Sequence, residues 1–296
     1  MPKVSVVMPF FNGANYIRES IDSLFAQDLG AWELILVDDG STDESSQIAA
    51  ELAREHRNVK LVHHLDRQNH GLAKSRVVGS DAANGDYLIF LDHDDLLVPD
   101  ALSSMAKVLD RHPRAAAVFA ATVYWAFDRS VAEKDAVQSY YPLWPGAIRG
   151  GKMLRDLIRS DHHHPANCST LYRREALMAV RDTTEPYDGM YEDTALLFKL
   201  LCRHDVYLLQ KPVSYYRLHR HSMSHQAQAE GTFKPVGYNA DRERFLRWVS
   251  RSSIPLGWKS RLRLRWTLVQ YRIESALAKL DAPRTRRLLV RALARI

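Results

Sequence analysis

The sequence predicts an α/β chain, a doubly wound and mostly parallel sheet followed by a C-terminal helical appendage. Two observations point to the sheet. Short β-rich runs alternate with helical periodicity four times in roughly the first 110 residues, the pattern of parallel strands joined by crossover helices. Two acidic clusters follow directly on such runs, where open parallel sheets gather their ligands. The appendage is marked by charge: Asp241 to Ile296 carries 15 Lys/Arg against 4 Asp/Glu, which leaves 26 against 31 for residues 1–240.

The elements follow in order. Lys3–Pro9 (KVSVVMP) is a short strand, and Ile17, Ile21, Leu24 and Phe25 then recur on one helical face. Trp32–Val37 is the second strand and ends at Asp38-Asp39-Gly40. Ser41-Thr42-Asp43-Glu44 fits a capping box that opens a helix reaching about His56. Val59–His64 is a third strand, Leu72–Ala83 a helix, and Asp86–Leu91 a fourth strand running into Asp92, Asp94 and Asp95. Pro99 sits where a first helical turn tolerates proline, ahead of Ala101, Leu102, Met105, Val108 and Leu109. Ala115–Ala126 is a further strand. Beyond Phe127 the pattern loosens, with a helix near Gly151–Ile158 and an all-helical tail from about Asn239.

At 296 residues, 46% hydrophobic and 26% charged, the chain has an ordinary globular composition and can bury a large core. The net charge of +6 belongs to the tail, and an acidic body argues against a protein built to grip nucleic acid. The apolar run before Pro9 is too short for a signal peptide, and no later window approaches a membrane span, so a cytoplasmic or peripheral location is expected. Cys168 and Cys202 lack metal-site spacing and read as free thiols.

Crowding three carboxylates after the fourth strand is costly unless something offsets their repulsion, about 4 kcal/mol for two charges ~4 Å apart at a protein surface. In strand geometry Asp92 and Asp94 project to one side and His93 to the other. That two-pronged oxygen site suits Mg²⁺ or Mn²⁺ carrying a substrate diphosphate; a solvated loop or helix cap is the bland alternative, and Asp95 is the weakest of the three as a ligand. Asp38 and Asp39 can read a nucleotide or cap a helix. PFFNGANY has a single glycine and no GxGxxG, which disfavours a nicotinamide cofactor. Glu192-Asp193 precedes an apolar helical pattern, so the pair either stabilises a helix N-terminus or supplies a general base. Tyr215–Ser224 crowds Arg and His beside hydroxyls in an expected loop, suited to phosphate and metal contacts or to solvent.

Taken in order, VSVVMPFFNGANYIRESIDSL, WELILVDDGSTD, GLAKSR, GDYLIFLDHDD, YEDTALLFKLL and YRLHRHSMS resemble the family 2 glycosyltransferases of GT-A fold, over roughly residues 3–225. The resemblance implies a nucleotide-sugar donor, usually a UDP-sugar, with Mn²⁺ or Mg²⁺ and inversion at the anomeric carbon. It also implies roles by position. Pro9, Phe11 and Asp39 match the nucleoside pocket, with Asp39 the partner of the uracil N–H and Asp38 its neighbour. Arg76 matches an arginine of the donor site, although Val77 stands where the family usually has Asn. Asp94 matches the direct metal ligand, Asp92 the ribose or water-mediated contact, and His219 a late metal or diphosphate ligand. Arg217 would neutralise phosphate charge. Asp193 matches the catalytic base, with Glu192 its partner in the acid pair.

The acceptor is expected to be a saccharide or lipid-linked glycan, met by the less regular second half. Trp144, His162, His163, His164 and Asn167 are the candidates. The expected organisation is a catalytic domain over 1–235, its nucleotide-sugar half at 1–127 and its acceptor half at 128–235, followed by a basic helical region over 236–296. Trp258–Leu280 interleaves arginine with Trp, Leu, Val and Ile, and either lies on an anionic membrane surface or packs against the catalytic domain. A haloacid-dehalogenase-type enzyme would carry its acids on the first strand, and a receiver domain would place its acid pair there. The alternative from another class is a non-catalytic sugar-nucleotide-binding or assembly protein of the same fold.

Overall fold

The computed structural model describes residues 1–138, 143, 145–159, 164–181, 191–222, 225–226 and 239–278. Its strands are β1 (Val4–Phe10), β2 (Trp32–Asp38), β3 (Val59–His63), β4 (Tyr87–Phe90), β5 (Leu96–Leu97), β6 (Ala115–Trp125), β7 (Ala136–Val137), β8 (Gly146–Ile148), β9 (Thr170–Arg173) and β10 (Asp205–Arg217). The helices are α1 (Ile17–Phe25), α2 (Ser45–Glu55), α3 (Leu72–Ala82), α4 (Ala101–Arg111), α5 (Gly150–Arg159), α6 (Arg174–Arg181), α7 (Glu192–Leu201), α8 (Ala240–Arg251) and α9 (Trp258–Ala278).

One sheet runs β3-β2-β1-β4-β9-β6-β10-β5, with β7 beside β6 and β8 beside β10. The β3-β2-β1-β4 half is parallel, as the βα alternation requires, whereas β9 is inserted antiparallel between β4 and β6. The strand period of two sorts the side chains between two layers. Val4, Val6 and Met8 pack with α1, α2 and α4, while Val7, Ile35 and Val37 share a second apolar cluster with α5 to α9. Each fully buried aliphatic side chain contributes roughly 1.5–3 kcal/mol, so slipping β1 by one residue is strongly disfavoured.

Helix α3 lies unusually close to this sheet. A Cβ on Gly79 would sit 2.3 Å from Val7 Cγ1 and 2.9 Å from Val37 Cγ2. Only the missing side chain permits that approach, and it sets the position of Arg76 one turn earlier.

The C-terminal helices share the core with the sheet. Phe245 of α8 stacks on Tyr191 at 5.2 Å and meets Phe198 edge-on at 5.2 Å. Ser260, Leu264 and Thr267 turn the inner face of α9 into the protein. The basic region therefore packs along one side, and the expected boundary at 235/236 lies outside the described residues. Among the described residues no helix is long and apolar enough to cross a membrane.

Three local expectations are corrected. Tyr215, Tyr216 and Arg217 end strand β10 and are not in a loop, because the β-rich run from Asp205 pairs along β6 despite Pro212, where the register shifts. The capping box does not form: Ser41 and Thr42 bond the loop after β1, and Asp43 accepts the Ser45 N–H at 3.0 Å instead. Helix α4 begins after Asp100, so Pro99 precedes its first turn and Asp95 does not cap it. Cys168 and Cys202 are unpaired thiols.

Candidate active site

The acids after β4 are separated by a turn. Strand geometry ends at Phe90, and the Asp95 N–H bonds back to the Asp92 carbonyl at 3.1 Å. Asp92 and Asp94 consequently face different partners, contrary to the expectation of one two-pronged site. His93 lies against Gly13, where a Cβ would meet its ring at 2.4 Å.

Asp92 faces Arg76. The buried guanidinium donates to Asp92 Oδ1 at 3.0 Å and, through its other terminal nitrogen, to Glu192 Oε1 at 2.5 Å. Arg76 therefore joins the end of β4 to the start of α7. Burial opposes its charge, but Asp92, Glu192 and Asp193 outweigh burial and raise its affinity for the proton. Its Nε is buried and has no hydrogen-bond partner among the described residues. Burial, reinforced by Asp193 and opposed by Arg76, pushes the Glu192 carboxyl up to about 7.

Asp94 faces His219, with Oδ2 3.0 Å from Nε2. Burial acts to raise this carboxyl, but the His219 hydrogen bond and nearby imidazoles hold it below the usual range. The His219 ring rests on Tyr16 at 4.7 Å between centroids, and its Nδ1 is buried with no partner among the described residues. Asp95 is buried beneath the turn and accepts the Arg217 N–H at 3.0 Å. Burial and the charges of Asp94 and Asp92 push its carboxyl well above the usual range.

Arg217 is placed differently from the expected phosphate contact. It is 1% exposed, its Nε donates to the Asp94 carbonyl at 2.8 Å, and Nη2 pairs with Glu19 at 2.7 Å. Its guanidinium carbon lies 5.0, 4.6 and 4.6 Å from the ring centres of Tyr16, Trp125 and Phe127. A planar cation fits such an aromatic cage. Here Arg217 holds the backbone of the acidic turn. No sequence pattern linked Tyr16, Glu19, Trp125 and Phe127 to it, since they come from around the start of α1 and the end of β6, far from Arg217 along the chain.

At the N-terminus of α7, Asp193 Oδ1 accepts the Thr194 N–H at 2.6 Å, and Oδ2 accepts Asn167 Nδ2 at 3.2 Å. His164 Nε2 lies 3.0 Å from Thr194 Oγ1 and 3.9 Å from Asp193. Two of the acceptor candidates, His164 and Asn167, thus gather around Asp193. Trp144, His162 and His163 lie outside the described residues.

The nucleoside end forms where β1 and β2 finish side by side. Pro9 pairs with Val37, and Phe11 follows it exposed to solvent. Asn12, left-handed at φ 53, accepts the Thr42 N–H at 2.8 Å and donates its own N–H to Ser41 at 3.1 Å, fastening the two loops together. Asp38 and Asp39 are both buried. Asp38 accepts the Ser41 N–H at 2.8 Å; Asp39 accepts the His70 and Gly71 N–H groups at 2.8 and 2.9 Å and lies 3.2 Å from His64. Part of their role is thus to shape the loops, although a carboxylate retains lone pairs beyond two hydrogen bonds.

Among the described residues no three His, Cys, Asp or Glu side chains converge as a ready-made metal centre. Asp92, expected as a ligand, is engaged by Arg76. Asp94 with His219 is a carboxylate-imidazole pair, which fits an ion that takes one or two protein ligands and completes its shell with water and phosphate.

The model of glycosyl transferase family 2 matches residues 5–181, more than half of the chain, and the chain belongs to that family. An uncharacterized glycosyltransferase of Haemophilus influenzae is 40% identical over 109 residues, 37% of this chain and 43% of that protein. The minor teichoic acid biosynthesis protein GgaB of Bacillus subtilis is 28% identical over 215 residues, 72% of this chain and 22% of that protein. The chain spans less than half the length of these relatives. Among solved structures, S. aureus TarS 1-349 in complex with UDP-GlcNAc superposes with a TM-score of 0.64 at 21% identity, covering 92% of this chain and 72% of that one. The mannosyltransferase PcManGT from Pyrobaculum calidifontis, in complex with GDP-Man and Mn²⁺, gives 0.59 at 17% identity, covering 98% and 79%. The fold is that of the GT-A glycosyltransferases.

Proposed function

We propose that this protein is an inverting glycosyltransferase that moves a sugar from a nucleotide-sugar, taken to be a UDP-sugar, to a hydroxyl of a saccharide or lipid-linked acceptor in glycan assembly at the cytoplasmic side of a membrane. One observation carries the reading. Arg76 bonds Asp92 and Glu192 at once, so the acids after β4 and the acid pair that opens α7 form one rim although Arg76 and Glu192 are 116 residues apart.

In the proposed reaction Asp193 accepts the proton of the acceptor hydroxyl. The freed oxygen forms a bond to the anomeric carbon, the bond from that carbon to the diphosphate oxygen breaks, and the nucleoside diphosphate departs with the electron pair. One displacement inverts the configuration and needs no covalent enzyme intermediate. The Thr194 N–H and Asn167 amide orient the base. Mn²⁺ or Mg²⁺ held at Asp94, beside His219, would supply positive charge to the departing diphosphate. Pro9, Phe11, Asp38 and Asp39 bound the proposed nucleoside pocket, and His164 with Asn167 the acceptor side.

A thermal-shift panel tests the donor site, because a ligand that binds only the folded chain raises its apparent stability. UDP-sugars, GDP-sugars and bare nucleoside diphosphates are compared with and without Mn²⁺. A UDP compound should stabilise the chain in a metal-dependent way that Asp94→Ala removes. A larger shift with a GDP compound would reassign the base, and no shift with any nucleotide would remove the reading.

A further inference from the structure

Helix α9 has two faces. Its inner face is fixed, with Ser260, Leu264 and Thr267 buried and the preceding loop anchored by buried Ile254 and Leu256. On the opposite side Trp258 and Leu262 are 72% and 63% exposed, and Trp266, Val269 and Ile273 are exposed as well. At 3.6 residues per turn these five fall within a sector of about 80°. Exposed Lys259 borders the stripe on one flank, and exposed Arg261, Arg265 and Arg272 border the other. Lys259 Nζ sits 5.3 Å from the Trp258 ring centre.

We infer that this outward face of α9 docks on an anionic phospholipid surface, with Trp258, Leu262, Trp266, Val269 and Ile273 entering the headgroup–acyl boundary and the flanking cations meeting lipid phosphates. Charge selects this occupant. A protein surface offering so apolar a stripe cations on both flanks would need matching acids, whereas an anionic bilayer presents phosphate on either side of any inserted helix. Long basic side chains reach outward while their stems cover apolar surface. The sequence beyond α9 adds Arg284, Arg286, Arg287, Arg291 and Arg295 against one acid, Asp281. Because the inner face is packed on the protein, α9 would hold the whole domain at the lipid surface in a fixed orientation, suiting an acceptor carried on a lipid. Membrane docking deepens the proposed function but does not depend on it, since vesicle binding requires no donor.

Flotation of the full chain with vesicles tests the inference. Phosphatidylcholine vesicles are compared with vesicles containing roughly 30% phosphatidylglycerol, against wild type and a Leu262→Gln/Trp266→Gln/Val269→Gln variant that keeps every cation. Wild type should float with anionic vesicles and not with neutral ones. The variant should partition about tenfold less or weaker while its thermal unfolding and nucleotide response stay unchanged. Equal flotation of variant and wild type would overturn the inference, leaving only attraction by the basic tail. Absence of wild-type binding, or a solution dimer that the same variant dissolves, would overturn it too, the latter assigning the face to a second copy.

Discussion

Replacing Glu192 by Gln should stabilise the protein at alkaline pH and leave it nearly unchanged in acid. Burial and the neighbouring Asp193 raise this carboxyl from 4.5 to about 7, with Arg76 opposing. The folded state therefore holds the proton more tightly than the unfolded chain, so ionising Glu192 costs the native state free energy. The cost is absent below pH 4.5, grows as pH rises, and is complete above pH 7. At about 1.4 kcal/mol per pH unit the span corresponds to roughly 3 kcal/mol. Gln mimics the protonated form and escapes the cost. Urea unfolding followed by tryptophan fluorescence at pH 4.5, 6 and 8 should show the variant drawing ahead of wild type by up to about 3 kcal/mol. A gap that stays flat, or one that opens in favour of wild type, would show that the Arg76 pairing outweighs the desolvation of Glu192.

Three further outcomes follow from the geometry. Gly79→Ala should cost about 1–3 kcal/mol in urea unfolding, because its Cβ would enter the space of Val7 and Val37, and it should weaken donor binding by displacing Arg76. Arg217→Met should destabilise by about 3 kcal/mol or more, since it removes a buried cation that bonds the part-buried Asp94 carbonyl and empties the cage of Tyr16, Trp125 and Phe127; Arg217→Lys should recover little of this, having no planar fork to fill the cage. Arg76→Met should lower metal-dependent nucleotide affinity measured by calorimetry, because Asp92 and Glu192 then meet without the cation between them; unchanged affinity would separate Arg76 from the donor site.

The parallel half of the fold was legible because each strand from β1 to β4 is a short apolar run followed by a helix with its own period, as in Val4–Phe10 and then Ile17, Ile21 and Leu24. Strand β10 was not. Pro212 and the polar positions around it interrupt the alternation, and what holds the strand is its long pairing with β6, which sequence periodicity does not reveal. The site divides in the same way. Asp92, Asp94, Glu192 and Asp193 stood out as clustered charge at element ends, but which cation each would meet depended on tertiary contact. The GLAKSR stretch singled out Arg76 by resemblance, but its double pairing with Asp92 and Glu192 appears only once α3 is seated on the sheet by Gly79. Composition set Arg217 and His219 in one basic segment, and the resemblance gave them phosphate and metal contacts; folding sends Arg217 into an aromatic cage and His219 against Asp94.

The most direct test follows donor hydrolysis, in which water takes the place of the acceptor hydroxyl and gives up its proton to Asp193, read as nucleoside diphosphate release by wild type and Asp193→Asn with the stabilising nucleotide-sugar saturating and Mn²⁺ present. The variant should bind the donor as wild type does yet release nucleoside diphosphate about 10²- to 10⁴-fold more slowly, the contribution expected of a general base. Equal release rates at equal donor occupancy would contradict that role and take Asp193 out of the chemistry.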